Sequence, residues 1–175
     1  MVWAMDRETA LAEFDTARDA FLAALQEAPD ESLSYLREGD IYAIGGLAVH
    51  CTWVLKHYRR VLDQLGQPAD GEFRTNDPPG EVEEANQRAL AGLAPGERSA
   101  ELDELGALHE SVKSAALELR AGTWEEKIPI FYGDAVDAYP TSPDDVIGWL
   151  RDHYQEHVPH TGELLAEWRA SRVAK

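Results

Sequence analysis

The chain has 175 residues, with 33 acidic against 16 basic side chains and a net charge of −17. At this length it can bury a core without cross-links, since a domain of ~150 residues buries roughly two thirds of its unfolded surface, and residues 1–175 are expected to form a single domain. The negative charge repels phosphate backbones and anionic bilayers, so nucleic acid and membrane surfaces are excluded as expected partners. The lone cysteine, Cys51, leaves no internal disulfide. No window reaches the ~18 apolar residues of a membrane span, and Asp6, Arg7 and Glu8 interrupt any signal-like stretch after Met1, so the expected location is cytoplasmic.

From Arg7 to Leu25, Leu11, Phe14, Phe21 and Leu25 recur at helical spacing with Ala10, Ala17 and Ala24 beside them, which predicts a bundle helix ended by Pro29-Asp30-Glu31-Ser32. A second helix is expected after Gly39-Asp40, with Asp40 as its N-cap; Ile44, Leu47, Cys51, Val54, Val61 and Leu65 form its stripe, and it stops near Gly66 and Pro68. Gly45-Gly46 either weakens the start of that helix or permits close packing there. Residues 70–80 read as a loop, Glu81–Leu93 as a short helix, and Ser99 as the cap of a third long helix carrying Leu102, Leu105, Val112 and Leu119, ended by Gly122.

Thr123–Thr141 carries no helical pattern, and Ile128-Pro129-Ile130-Phe131-Tyr132 within it reads as extended or loop-like. So long a connection suits a lid or a mobile linker. The last helix opens at Ser142-Pro143-Asp144-Asp145, a cap followed by a first-turn proline and two acids that complement the helix dipole. Val146, Trp149, Leu150, Leu164, Leu165 and Trp168 give it an apolar face. The expected fold is therefore all-α: a four-helix bundle with a long loop between its third and fourth long helices.

Three of the six histidines, His153, His157 and His160, interrupt that last apolar face. Residues four apart on a helix lie one turn above each other, so His153 and His157 can grip a single ion. Two ligands from one turn leave coordination incomplete, and the second long helix supplies a third in His50, with His57, two turns further on, in reserve. Three neutral imidazoles suit zinc, nickel, copper or iron and leave positions open for water or substrate. Pro159 lacks an amide hydrogen and clashes with the carbonyl of Gln155, so a kink is expected in the turn bearing these histidines. His109 is expected to be a hydrogen-bonded packing residue and Cys51 a small buried filler. A ferritin-type di-iron centre needs Glu-x-x-His pairs, which are absent, as are HExxH, Gly-rich phosphate loops and GxSxG.

Leu47-Ala48-Val49-His50 together with His153-Tyr154-Gln155-Glu156-His157, in a chain of this length and helix order, resembles the DinB/YfiT-like group of metalloenzymes, which includes thiol-dependent transferases and isomerases. The resemblance implies an up-down-down-up bundle and a mononuclear divalent metal, zinc or nickel, held by His50, His153 and His157. This chain has Asp40-Ile41-Tyr42 where the family often has a tryptophan. His160-Thr161-Gly162-Glu163 imperfectly matches a His-x-Gly-Gln run; were that run to set the alignment, His160 would replace His153, and the spacing favours the 153/157 pair. The expected activity is metal-dependent transfer of a low-molecular-weight thiol, or hydrolysis, on a small-molecule substrate, with no role assigned to Glu156 or Glu163 and with Trp124–Tyr139 covering the site. The alternative is a metal-free helical binding or interaction module. Pairing of two bundles into a homodimer would be ordinary.

Overall fold

The computed structural model describes residues 6–67, 72–75 and 77–173. Among them are five α-helices, α1 (Arg7–Gln26), α2 (Gly46–Leu65), α3 (Glu81–Ala91), α4 (Arg98–Glu118) and α5 (Pro143–Val173), and three short strands, β1 (Phe73–Arg74), β2 (Ile128–Phe131) and β3 (Tyr139–Thr141). None of these helices is long and apolar enough to cross a membrane.

The helical stripes read from the sequence are the ones buried. Phe14 and Phe21 of α1 and Leu164 of α5 have no exposed surface, and α1 packs along α5 while α2 lies against α3, α4 and α5. Each fully buried Phe or Leu side chain stabilises the fold by roughly 1.5–3 kcal/mol relative to exposure, so these stripes hold α1 along α5.

The mostly helical fold also carries a small sheet. β2 pairs antiparallel with β3 and parallel with the two-residue β1, in the order β1-β2-β3. Ile128 and Ile130 of β2 and the preceding Trp124 are buried in the core. The connection before α5 is thus neither a long loop nor a loose lid but a docked β-hairpin. The extended reading of Ile128–Tyr132 corresponds to β2, while β3 carries no such signal; Pro129 and Pro140 sit opposite each other in the ladder.

The caps differ in part from expectation. Ser142 does cap α5: its Oγ accepts from the amide of Asp145 at 3.1 Å, and Asp145 accepts the Ser142 amide at 2.8 Å, a reciprocal box. Asp40, by contrast, does not cap α2, which starts only at Gly46, and Ser99 lies inside α4, which starts at Arg98 and ends at Glu118. The Gly45-Gly46 pair serves packing. A Cβ on Gly46 would stand 1.8 Å from the Ala89 carbonyl oxygen, so only glycine allows the first turn of α2 to touch the end of α3. Helix α5 runs through Pro159 without a break in its assignment.

Candidate metal centre

The apolar faces that pair α2 with α5 bring three imidazoles to one place. One nitrogen each of His50, His153 and His157 lies within 4.8 Å of the others. The Nε2 atoms of His153 and His157 are 3.2 Å apart, their rings nearly perpendicular at 81°. His50 faces them from α2, its ring centroid 4.9 Å from that of His153 and 5.5 Å from that of His157.

Electrostatics leave these rings neutral. Burial, aided by its histidine neighbours, lowers His157 to about 3, and burial with His153 lowers His50 to about 4. His153 is also shifted down by burial. Near neutral pH all three therefore offer lone pairs rather than N–H⁺ groups, the form a metal requires.

The His153–His157 pair fits a cation of zinc size, and His50 brings a nitrogen within 4.8 Å of both. With Zn–N bonds of ~2.0–2.1 Å at tetrahedral angles, two ligating nitrogens stand about 3.3 Å apart, close to the His153–His157 separation. Among the described residues, Nδ1 of His157 is buried with no hydrogen-bond partner.

Around the trio lie groups that sequence reasoning missed. The Tyr42 ring stacks on His50 with centroids 4.4 Å apart, and its hydroxyl is 3.2 Å from His50 Nε2. Burial raises the Tyr42 phenol, which keeps its proton and remains a donor beside the cluster. The only signal was its position where the resembled family often has another aromatic. Asp40, two residues before Tyr42, accepts from His160 Nε2 at 2.9 Å and from Arg37 at 3.0 Å. Burial would raise the Asp40 carboxyl, but the bonds from His160 and the Ile41 amide outweigh it and hold it below the usual range.

The alternative ligands are otherwise engaged. His160 is bound to Asp40, and His57 Nδ1 lies 2.8 Å from Asp77, which also takes Arg60 at 2.7 Å. Glu156 and Glu163 are exposed, and Cys51 is buried with its thiol pushed up by desolvation, as expected of a filler. His109 is hydrogen-bonded to Asp15 at 2.8 Å, also as expected. Within Trp124–Tyr139, the Tyr132 ring is 6.1 Å from that of His57 and the Tyr139 ring 5.9 Å from that of Trp149.

A mostly helical chain whose second and last long helices converge on three neutral imidazoles defines the class: a helical protein with a candidate mononuclear His₃ centre. The family model of the DinB superfamily matches residues 3–160, nearly the whole chain, and the chain belongs to that superfamily. No curated protein matches it significantly.

Proposed function

We propose that this protein is a metal-dependent enzyme acting on a small molecule, in which His50, His153 and His157 hold one divalent ion, zinc or nickel. Its four long helices, α1, α2, α4 and α5, then follow the up-down-down-up course of the family. The observation that carries the reading is the convergence of three neutral imidazoles from two helices, one buried and two half-buried, two of them at the nitrogen separation of a tetrahedral ion. When bound, such an ion supplies a hydroxide or a bound thiolate near neutral pH. The reaction is transfer of a low-molecular-weight thiol to an electrophile, or hydrolysis of a small substrate.

The chain's own residues contribute position and a donor. Two ligands from one turn of α5 fix an edge of the site, and His50 closes it from α2. The Tyr42 hydroxyl, which now points at His50 Nε2, is placed to donate to a substrate oxygen or leaving group once that nitrogen is occupied. Asp40 holds His160 at the rim and so keeps a fourth imidazole from competing. The net charge of −17 fits a cytoplasmic enzyme with neither nucleic-acid nor membrane partners, acting alone or as a homodimer.

Metal analysis of the purified chain tests the reading. About one ion per chain is expected, falling to none in a His153→Ala/His157→Ala variant. The cobalt-substituted protein should change its absorption on adding a thiol that ligates the ion. No ion in either protein, after exposure to zinc and nickel, would instead mark a metal-free binding module.

A further inference from the structure

Beyond the histidines, on the same α2–α5 face, lies a cleft of about 400 Å³ lined by Tyr58, Tyr132, Ala135, Asp137, Tyr139 and Trp149. Trp149 is one turn before His153 on α5, and Tyr58 is two turns after His50 on α2, so the cleft begins ~6–12 Å along the helices from the candidate centre.

Four of its six lining residues are aromatic. The Trp149 ring stands 5.8 Å from Tyr58 and 5.9 Å from Tyr139, tilted by 53° and 54°, so the three rings form an angled corner rather than a closed stack. Tyr132 is fixed by a hydrogen bond between its hydroxyl and Thr141 Oγ1, at 2.9 Å. Burial raises both Tyr58 and Tyr132, the latter to about 12, so these walls stay uncharged.

The charge lining the cleft has one sign. Asp137 is its carboxylate, and among the described residues no Lys or Arg lines it. Arg74 of β1, which borders the cleft at Ala135, is already engaged: it lies over the Phe131 ring at 4.7 Å and donates to the carbonyls of Gly133 and Ala135. Successive residues of an extended chain face opposite ways, which sets Phe131 and its arginine apart from Tyr132.

We infer that this cleft is a subsite for an organic cation, an alkylated ammonium group, seated against Trp149, Tyr58 and Tyr139 with Asp137 at its edge. Aromatic faces attract a cation whose charge is spread over methyl groups, and a single carboxylate adds long-range attraction without demanding an N–H donor. An apolar ligand would gain from the rings but nothing from Asp137. That the cation belongs to a substrate reaching the metal rests on the function proposed above; its binding in the cleft does not.

Titration calorimetry on the full chain, with choline and its neutral isostere 3,3-dimethylbutan-1-ol as probes, tests this. Choline should bind about ten-fold or more tightly than the alcohol. Tyr139→Ala, at a residue 58 % exposed and so dispensable for folding, should weaken choline several-fold, and Asp137→Asn about three-fold. The His153→Ala/His157→Ala variant should bind choline within about two-fold of the parent, because its changes lie outside the cleft. Choline binding that survives without any metal in the parent would leave the cation site standing and remove only the enzymatic reading. Equal affinity for the alcohol, no saturable heat from choline up to about 50 mM, or full binding by Tyr139→Ala and Asp137→Asn together would overturn the inference.

Discussion

His109 and the His50/His153/His157 group are both withdrawn from water, yet their nitrogens are treated differently. His109 has no exposed surface; its Nε2–H donates to Asp15 at 2.8 Å, its ring stacks on Phe14 with centroids 3.9 Å apart, and Tyr154 stands 3.5 Å from Nδ1. Asp15 in turn takes Lys113 at 2.8 Å. In the trio, two Nε2 atoms face each other and a buried Nδ1 faces nothing. Burial alone therefore says little about a histidine. The difference lies in the partners: His109 is held by a carboxylate, whereas the imidazoles of the trio face one another.

Tyr154 shows how close the two arrangements lie. It follows His153 directly, but successive helical residues turn by about 100°, so its ring packs between Phe14 and Phe21 while its neighbour faces α2.

The sharpest way to break the contrast is to remove the ring from the satisfied arrangement. His109→Ala should cost about 2–4 kcal/mol, from a cavity beside Phe14 and a lost bond to Asp15, with metal content unchanged; denaturant unfolding and metal analysis together would show it. Loss of the ion in that variant would erase the distinction.

Next in size is the effect of the ion. Zinc at about 100 times its dissociation constant should add about 2.7 kcal/mol, raising the melting temperature by roughly 5–10 °C. The shift should persist in His109→Ala and vanish in His153→Ala/His157→Ala.

Acid sharpens the comparison further. Burial depresses the His109 ring below its ordinary 6.5, so the unfolded chain takes up a proton there that the folded chain refuses. Its stabilising effect is complete above pH 6.5 and declines as pH falls from 6.5 toward the lowered folded value. Denaturation of metal-free His153→Ala/His157→Ala protein between pH 7.5 and 4.5 should show that decline, and adding His109→Gln should lessen it, leaving the part that His50 contributes.

The smallest expected change is Asp15→Asn. Burial alone would raise this carboxyl, but bonds from Lys113 and His109 hold it below its usual range. At pH 7 the substitution should cost about 1 kcal/mol, measured by thermal unfolding, because the site is partly solvated and its pairs are screened.

Much of this was legible beforehand, and the reasons are local. Helical stripes repeat within a few turns, so Phe14, Phe21, Leu47 and Leu164 could be assigned to the core from spacing, and the four-residue separation of His153 and His157 placed both on one side of α5. What was not legible depends on partners far away in the chain. β1 is two residues long and exists only because Phe73 and Arg74 meet Ile130 and Phe131. Asp40 carries the residue type of an N-cap, but its carboxylate is claimed by Arg37 and by His160, 120 positions away. Tyr42 gave no periodic signal, since it stands outside any helix and meets His50 only because the chain folds back across α2.

The contact of Gly46 with the Ala89 carbonyl reaches further than packing. His50 is one turn after Gly46, so the height of its imidazole along α2 is set by backbone touching backbone, with no flexible side chain between to absorb an error. A methyl group at 46 would slide or tilt the helix start and move His50 relative to two imidazoles anchored on another helix. The alignment of the three rings thus hangs on a hydrogen atom that belongs to none of them.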